Sequence, residues 1–203
     1  MKKLILTLVA ITVTSVASFA QVVFTAGYTH DIFTASVKET GFQEKVPGNG
    51  AFLKGAYQFP IARNTFLEGG LRLDYVGVKG SRILTEYKET WLYAGIPLMV
   101  SAKAPVGSEL NIGFSVGPTL NIGLLSEEQV YVNGQKTGDP LNKFDYDGIS
   151  RFDILVGANL YLELFNQFRI NVGYDLGTFN TSKESNLKRR FSRLNIGLSY
   201  VLF

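Results

Sequence analysis

Apolar residues alternate with small or polar residues along most of the chain after residue 20. A period of two places the apolar residues on one face of a β-strand and the others on the opposite face. The clearest run is 109–124, where Leu110, Ile112 and every later even position are apolar. Eight such runs predict an all-β chain: 22–29, 51–59, 65–77, 85–103, 109–124, 152–164, 169–177 and 193–202.

The connections between these runs alternate in length. Three are short (60–64, 104–107 and 165–167), and four are long (31–49, 78–84, 126–148 and 181–188). Short turns at one end and long loops at the other predict an eight-stranded antiparallel up-and-down transmembrane β-barrel, with both termini on the periplasmic side and the first strand paired with the last. Pro97 and Pro118 fall inside the predicted strands. Because proline cannot donate to a β-ladder, we expect bulges or strand ends there.

The polar face distinguishes a membrane barrel from a secreted β-sandwich or lipocalin-like barrel, which remains the alternative. It combines many glycines with charges of both signs, unlike the Ser, Thr and Lys mixture of a solvated face. Eight strands enclose a lumen only wide enough for side chains, and unpaired buried charges are costly there. We therefore predict a lumen charge network of Lys54, Glu68, Arg72, Asp74, Glu109, Asp153, Glu163, Arg169, Asp175 and Arg193.

The first twenty residues have the organisation of a secretory signal. Lys2 and Lys3 precede an apolar stretch over 4–16, and Ser18 and Ala20 supply the small residues of a cleavage site. The alternative, a membrane-anchoring helix, needs about 20 apolar residues, and this stretch is shorter. The sequence predicts a signal peptide over 1–20, cleavage between Ala20 and Gln21, and a barrel domain over 21–203.

Composition limits the chemistry. The 203 residues include no cysteine and one histidine, with a formal net charge of +3. Disulfides, thiolate metal sites and cysteine nucleophiles are therefore excluded, as is a histidine-based zinc cluster. Lysine and arginine are too scattered for a nucleic-acid groove, so we expect no nucleic-acid partner. We expect no cofactor, metal ion or catalytic residue.

Three stretches resemble the PorT-like family of outer-membrane β-barrels from Bacteroidetes-type bacteria. They are WLYAGIPLMV at 91–100, IGFSVGPTLNIGL at 112–124, and the closing segment 193–203. The resemblance implies an architecture like that of the OmpX- and OmpA-type barrels, in the outer membrane of a Gram-negative bacterium. It also implies insertion by the barrel-assembly machinery and contact with outer-membrane lipid and lipopolysaccharide. The last strand resembles the signal read by that machinery, at Asn195, Gly197, Tyr200, Leu202 and Phe203.

His30, beside Asp31, is the one residue that can act as a base at neutral pH. Some eight-stranded barrels are lipid A acyltransferases or deacylases with a histidine at this level, so a lipid A-modifying enzyme is one hypothesis. Candidate partners are Ser81, Ser126 and Ser150, but a catalytic triad is recognised only by geometry. An ordinary interfacial histidine is the preferred interpretation.

Two loops have suggestive charges. Asp145, Asp147 and Gly148 lack the ligand spacing of a twelve-residue calcium site, which favours a solvated acidic loop. In the same loop, Asn133-Gly134 predicts a hairpin turn, so the strands are expected to continue beyond the membrane. In the fourth loop, four cationic side chains are expected either to bind lipopolysaccharide phosphates or to form a solvated cluster: Lys183, Lys188, Arg189 and Arg190.

The leading functional hypothesis is a small, monomeric, non-enzymatic outer-membrane barrel with a lumen filled by side chains. Its loops would contact a surface partner, which the sequence does not identify, or support the cell envelope. A passive pore for small solutes is the first alternative, and the enzyme that uses His30 is the second.

Overall fold

The computed structural model describes residues 21–82, 85–146 and 148–202. The predicted signal peptide with Ala20, residue Asp147 of the acidic loop and Phe203 of the predicted assembly signal lie outside these ranges. The elements are β1 (Gln21–Val37), β2 (Gln43–Ala62), β3 (Thr65–Arg82), β4 (Thr85–Pro105), β5 (Leu110–Val132), β6 (Gln135–Asn142), α1 (Lys143–Tyr146), β7 (Phe152–Leu164), β8 (Phe168–Gly177) and β9 (Leu187–Leu202).

Eight strands form a closed antiparallel ring in the order β1, β2, β3, β4, β5, β7, β8, β9. The ring closes because β1 pairs with β9 from Val22 opposite Leu202 to Val37 opposite Leu187. The predicted up-and-down barrel, with its first strand paired to its last, is confirmed. The short strand β6 stands outside the ring and pairs with the far part of β5.

The two ends of the barrel differ, but the predicted long loop 78–84 is wrong, because β3 continues to Arg82 and β4 begins at Thr85. Short turns connect β2 to β3, β4 to β5 and β7 to β8, and Gln21 and Leu202 lie at the same end. We call this the short-turn end, and the opposite end the loop end. In the two-residue turn between Ala62 and Thr65, Asn64 adopts a positive φ of 66°.

The strands are longer at the loop end than the sequence pattern predicts. The predicted first loop, 31–49, is mostly strand, since β1 and β2 remain paired as far as Ser36 opposite Gln43. Asn133 and Gly134 both have positive φ and join β5 to β6, which confirms the predicted hairpin. At about 3.3 Å per residue, β5 is about 75 Å long, well over the ~30 Å of a hydrocarbon layer.

The expectation of bulges or strand ends at Pro97 and Pro118 is wrong. Pro97 lies within β4 opposite Thr119, and Pro118 lies within β5. The β4–β5 ladder loses pairs beside the prolines but keeps the same register on both sides, and its shift occurs instead between Leu92 and Tyr93. Each strand is held by a neighbour on either side, so a missing donor interrupts the pairing without displacing the register.

The barrel is apolar outside and charged inside. Leu71 and Leu198 are 68% and 66% exposed, whereas Asp74 and Arg193 are fully buried. A soluble β-sandwich or lipocalin-like barrel would bury its aliphatic rows, so this alternative does not fit the structure. Among the described residues, no helix has both the length and the apolar character of a membrane span.

Candidate functional site

The interior of the barrel is organised in three levels from the short-turn end to the loop end. We call them the lower charged cluster (Lys54, Gln58, Glu68, Lys103, Glu163 and Arg169), the upper charged cluster (Asp31, Arg72, Asp74, Asp175, Arg193 and Asn195) and the aromatic mouth (Phe33, Trp91, Tyr93, Phe144 and Phe191).

The lower charged cluster ties together five strands. Glu163 accepts from Arg169 Nε and from Lys103 Nζ, both at 2.6 Å. Gln58 accepts from Arg169 Nη2 at 3.0 Å and donates to Glu68 at 2.7 Å, while Lys54 Nζ donates to Glu68 at 2.7 Å. Every cation in this cluster therefore has a carboxylate partner.

The upper charged cluster centres on two buried guanidinium groups. Arg193 forms a bidentate pair with Asp31 at 2.8 and 2.9 Å, and its Nη1 lies 2.8 Å from Asp74. Arg72 pairs with Asp74 at 2.8 Å and donates to the amide oxygen of Asn195 at 2.6 Å. Bidentate geometry strengthens such ion pairs and fixes the orientation of both side chains.

The two clusters close the lumen. Arg72, on β3, lies 3.5 Å from Asp175 on β8, which is the strand opposite β3 in the ring. Asn195 donates to the same carboxylate at 2.7 Å. The cavity beside Met99 and Tyr161 has a volume of about 40 Å³, which accommodates only about one or two water molecules. The described side chains thus bridge the lumen from wall to wall.

Nine of the ten predicted network residues lie inside the barrel, and Glu109 does not. Glu109 is exposed in the turn before β5, where its backbone carbonyl accepts from the Phe165 N–H at 2.8 Å. The prediction for Glu109 is wrong because β5 begins at Leu110, which leaves Glu109 in the preceding turn. Sequence reasoning also missed Asp31 and Lys103 as network members. Asp31 continues the inward-facing odd positions of β1, and only its assignment to a loop concealed it.

The aromatic mouth occupies the loop end above the upper charged cluster. Phe33, Trp91, Tyr93 and Phe191 form four neighbouring pairs, with ring centroids 5.4–6.0 Å apart. Phe144, from α1, meets Trp91 edge to face at 5.7 Å. A Cβ atom at position 123 would lie 2.1 Å from the Phe144 ring, so glycine at that position makes room for it.

The helix α1 is fastened over the mouth by Lys143. Its Nζ lies 2.6 Å from Glu89 on β4 and 2.9 Å from Glu128 on β5. Burial acts to lower the pKa of Lys143, but Glu89 and Glu128 outweigh it and hold that pKa above the usual 10.5. The ammonium is therefore charged and paired at neutral pH.

A cavity of about 140 Å³ lies within the mouth. Aromatic rings form much of its wall, and Asn121 and Asp153 also line it. Asn121 is 1% exposed and Asp153 is 5% exposed. Oδ1 of Asp153 accepts from the backbone N–H of Ile154 at 2.8 Å, but its Oδ2 has no hydrogen-bond partner, and neither has any side-chain N or O of Asn121.

No family model matches the chain, and no curated protein sequence matches it. Its fold is similar to solved outer-membrane β-barrels. Ail of Yersinia pestis, solved with the heparin analogue sucrose octasulfate, is 16% identical with a TM-score of 0.48, over 90% of this chain and 99% of Ail. Neisserial surface protein A is 15% identical (TM-score 0.40, 87% and 96% covered). OprG of Pseudomonas aeruginosa is 13% identical (0.40, 90% and 96%). The PorT-like resemblance stays a prediction.

His30 lies on the outer face of β1, and its Nδ1 is 2.8 Å from the side-chain oxygen of Asn49. Ser126 is buried inside the barrel, and Ser150 donates to the carbonyl of Phe152 at 3.1 Å. Ser81 is exposed near the far end of β3. The structure gives none of the three serines a contact with His30.

The charged loops and the last strand contain the remaining predicted residues. Asp145 pairs with Arg151 at 3.3 Å, and the described residues contain no group of three side chains suited to a metal ion. Lys183 and Arg190 are exposed at the loop end, while Lys188 and Arg189 are partly buried. Within the predicted assembly signal, the side chain of Asn195 and Gly197 face the lumen, whereas the side chains of Tyr200 and Leu202 face outward.

Proposed function

We propose that the chain is a monomeric, non-enzymatic outer-membrane β-barrel of a Gram-negative bacterium, with a closed lumen and both termini in the periplasm. The observation that carries this proposal is the inverted distribution of side chains: ion pairs bridge the interior, and aliphatic rows cover the exterior. The long hairpins of the loop end would then stand outside the cell as a rigid display surface.

The apolar exterior supports membrane insertion. On β8 the outward side chains are 46–53% exposed, in the sequence Phe168, Ile170, Val172, Tyr174 and Leu176. Burying such surface in acyl chains gains about 25 cal/mol per Å². The ten residues of β8 equal the 9–11 that a tilted strand needs to cross the hydrocarbon layer.

Electrophoresis of the protein extracted from outer-membrane fractions tests the barrel. A closed, lipid-solvated barrel should resist dodecyl sulfate at room temperature and migrate differently before and after boiling. Identical migration, together with recovery in the soluble periplasmic fraction, would show that the membrane assignment is wrong.

Planar-bilayer recording separates the display barrel from the passive pore. Because Arg72, Asp175 and Asn195 join opposite walls, we expect conductance near zero for the unmodified protein. Stable open channels would contradict the closed lumen. Glu109→Gln, which changes a charge in an exposed turn, should record like the unmodified protein.

The lipid A-modifying hypothesis gains no support from the contacts of His30, which reach Asn49 and none of the three candidate serines. We expect His30→Ala to leave the lipid A mass profile of the producing cells unchanged, and a changed profile would favour the enzyme. The exposed Lys183 and Arg190 remain candidates for lipopolysaccharide phosphates. Loss of lipopolysaccharide retention in a double alanine variant would support that contact, and unchanged retention would oppose it.

PorT-like membership and recognition of the last strand by the barrel-assembly machinery are also part of the proposal. Tyr200 and Leu202 present their side chains to the outside, where an assembly factor can reach them. Replacing Tyr200 by alanine should reduce the amount of folded barrel in the outer membrane. Leu198→Ala, which changes an outward-facing side chain on the same strand outside the predicted signal, offers a control.

A further inference from the structure

The aromatic mouth contains a polar pair that the fold leaves unsatisfied. Asn121 on β5 lies directly opposite Asp153 on β7, and both residues line the cavity of about 140 Å³. Both are more than nine-tenths buried, yet Asp153 Oδ2 and both polar atoms of the Asn121 amide have no hydrogen-bond partner. Native proteins satisfy nearly all such groups, so this pair points to an absent ligand.

We propose that this cavity binds a small organic cation, in which an ammonium group is attached to a compact aromatic or aliphatic body. The ammonium donates to Asp153 Oδ2 and to the amide oxygen of Asn121, and the body contacts the rings of the aromatic mouth. This site lies at the loop end of the interior, above the two charged clusters that close the lumen, and goes beyond the display role proposed above.

The surroundings of the buried Asp153 carboxylate favour a cation. Asp153 receives only backbone N–H donors, from Ile154 at 2.8 Å and Phe179 at 3.4 Å. Below it, the upper charged cluster contains three carboxylates and two guanidinium groups, so it supplies no spare positive charge. An anion here would be repelled by the Asp153 carboxylate and by the excess carboxylate of the upper charged cluster. An ammonium would instead complete the ion pair that Asp153 lacks.

Two of the four cationic side chains that line the cavity, Lys143 and Arg151, are engaged by carboxylates. Lys143 lies between Glu89 and Glu128, at 2.6 and 2.9 Å. Arg151 pairs with Asp145 at 3.3 Å. Neither is paired with Asp153, although both line the same cavity.

The walls and the volume define the body of the ligand. Phe33, Trp91, Tyr93, Phe144 and Phe191 all line the cavity. Aromatic faces attract organic cations and also bury their apolar carbons. A cavity of about 150 Å³ accommodates benzene, so about 140 Å³ limits the enclosed body of the ligand to about one ring. Exposed Glu44 and Arg190 also line the cavity, which places its entrance at the loop end.

Trp91, the only tryptophan, lines the cavity and gives a direct assay. The refolded barrel in detergent is titrated with phenethylammonium, with neutral 2-phenylethanol and with anionic 3-phenylpropanoate, while Trp91 emission is recorded. We expect a saturable change with phenethylammonium at an affinity at least tenfold above that of either analogue. No saturable change, or equal affinity for the anion, would overturn the proposal.

Asp153→Asn removes the charge and keeps the shape. It should weaken phenethylammonium binding at least tenfold and leave 2-phenylethanol binding within about twofold. Glu109→Gln removes the same charge from the exposed turn and should change neither affinity. Unaltered phenethylammonium binding by Asp153→Asn would also overturn the proposal. Heat-dependent migration reports folding of each variant, and the ligand series on the unmodified protein tests the proposal even where a variant fails to fold.

Discussion

Arg193→Gln should cost the barrel about 3 kcal/mol of unfolding free energy. The guanidinium is fully buried and contacts Asp31 twice and Asp74 once, at 2.8–2.9 Å. Removing one partner of a buried ion pair costs about 3–5 kcal/mol, because a charge is left uncompensated. Arg72 still pairs with Asp74 at 2.8 Å, so only Asp31 is stranded and the lower end of that range applies.

Reversible urea unfolding in lipid vesicles, followed by Trp91 emission, measures this loss. Glu109→Gln should change the unfolding free energy by less than about 0.5 kcal/mol, as an exposed substitution does. The double variant Arg193→Gln/Asp31→Asn should recover more than half of the loss, since it removes the stranded charge. A loss below about 1 kcal/mol, or a double variant no more stable than the single one, would refute the ion-pair reasoning.

Three further substitutions test the other levels of the interior. Glu163→Gln replaces the carboxylate that pairs with Lys103 and Arg169 by a neutral amide, so the unfolding free energy should fall by about 2–3 kcal/mol. An unchanged urea midpoint would show that these ion pairs of the lower charged cluster do not stabilise the barrel. Gly123→Val places a side chain on the Phe144 ring and should shift Trp91 emission to the red while heat-dependent migration persists; unaltered emission would show that the ring does not cover the mouth. Lys143→Met should speed proteolysis between residues 133 and 146. Because the folded-state pKa of Lys143 is raised above 10.5, its anchoring should hold below that pH and be lost only as pH rises further. Release of this segment at pH 8 would contradict it.

The ring of strands could be predicted from the sequence because the exterior faces one medium along its whole height. On β8, Ile170, Val172 and Tyr174 alternate with inward-facing residues without interruption. Above the membrane that signal disappears, since both faces of a hairpin can be polar. Glu44 and Lys45 on β2 pair with Ala35 and Thr34 on β1, yet no alternation of apolar residues indicates a strand there.

The candidate site was predicted only in part. The alternation identifies which charged residues face inward, but not that Arg72 contacts Asp175, which lies on the opposite wall. The aromatic mouth was missed for a physical reason. Trp91 and Tyr93 are apolar residues on the inner face of β4, so the run 85–103 has apolar positions on both faces, and this made its period irregular. Phe144 comes from a loop and has no periodic signal.

The stability of an Asp153 variant distinguishes a structural role of this carboxylate from a role in ligand binding. A carboxylate kept for stability should be paired, as Asp31 and Asp74 are, but Asp153 Oδ2 has no partner. Asn at this position still offers an oxygen to the N–H groups of Ile154 and Phe179 and carries no charge. A group kept for binding commonly lowers the stability of the ligand-free protein. If the Asp153 charge serves a ligand, Asp153→Asn should therefore raise the unfolding free energy of the ligand-free barrel by about 1 kcal/mol at neutral pH. Urea unfolding without ligand measures this difference: a loss of 1 kcal/mol or more would make Asp153 a structural residue.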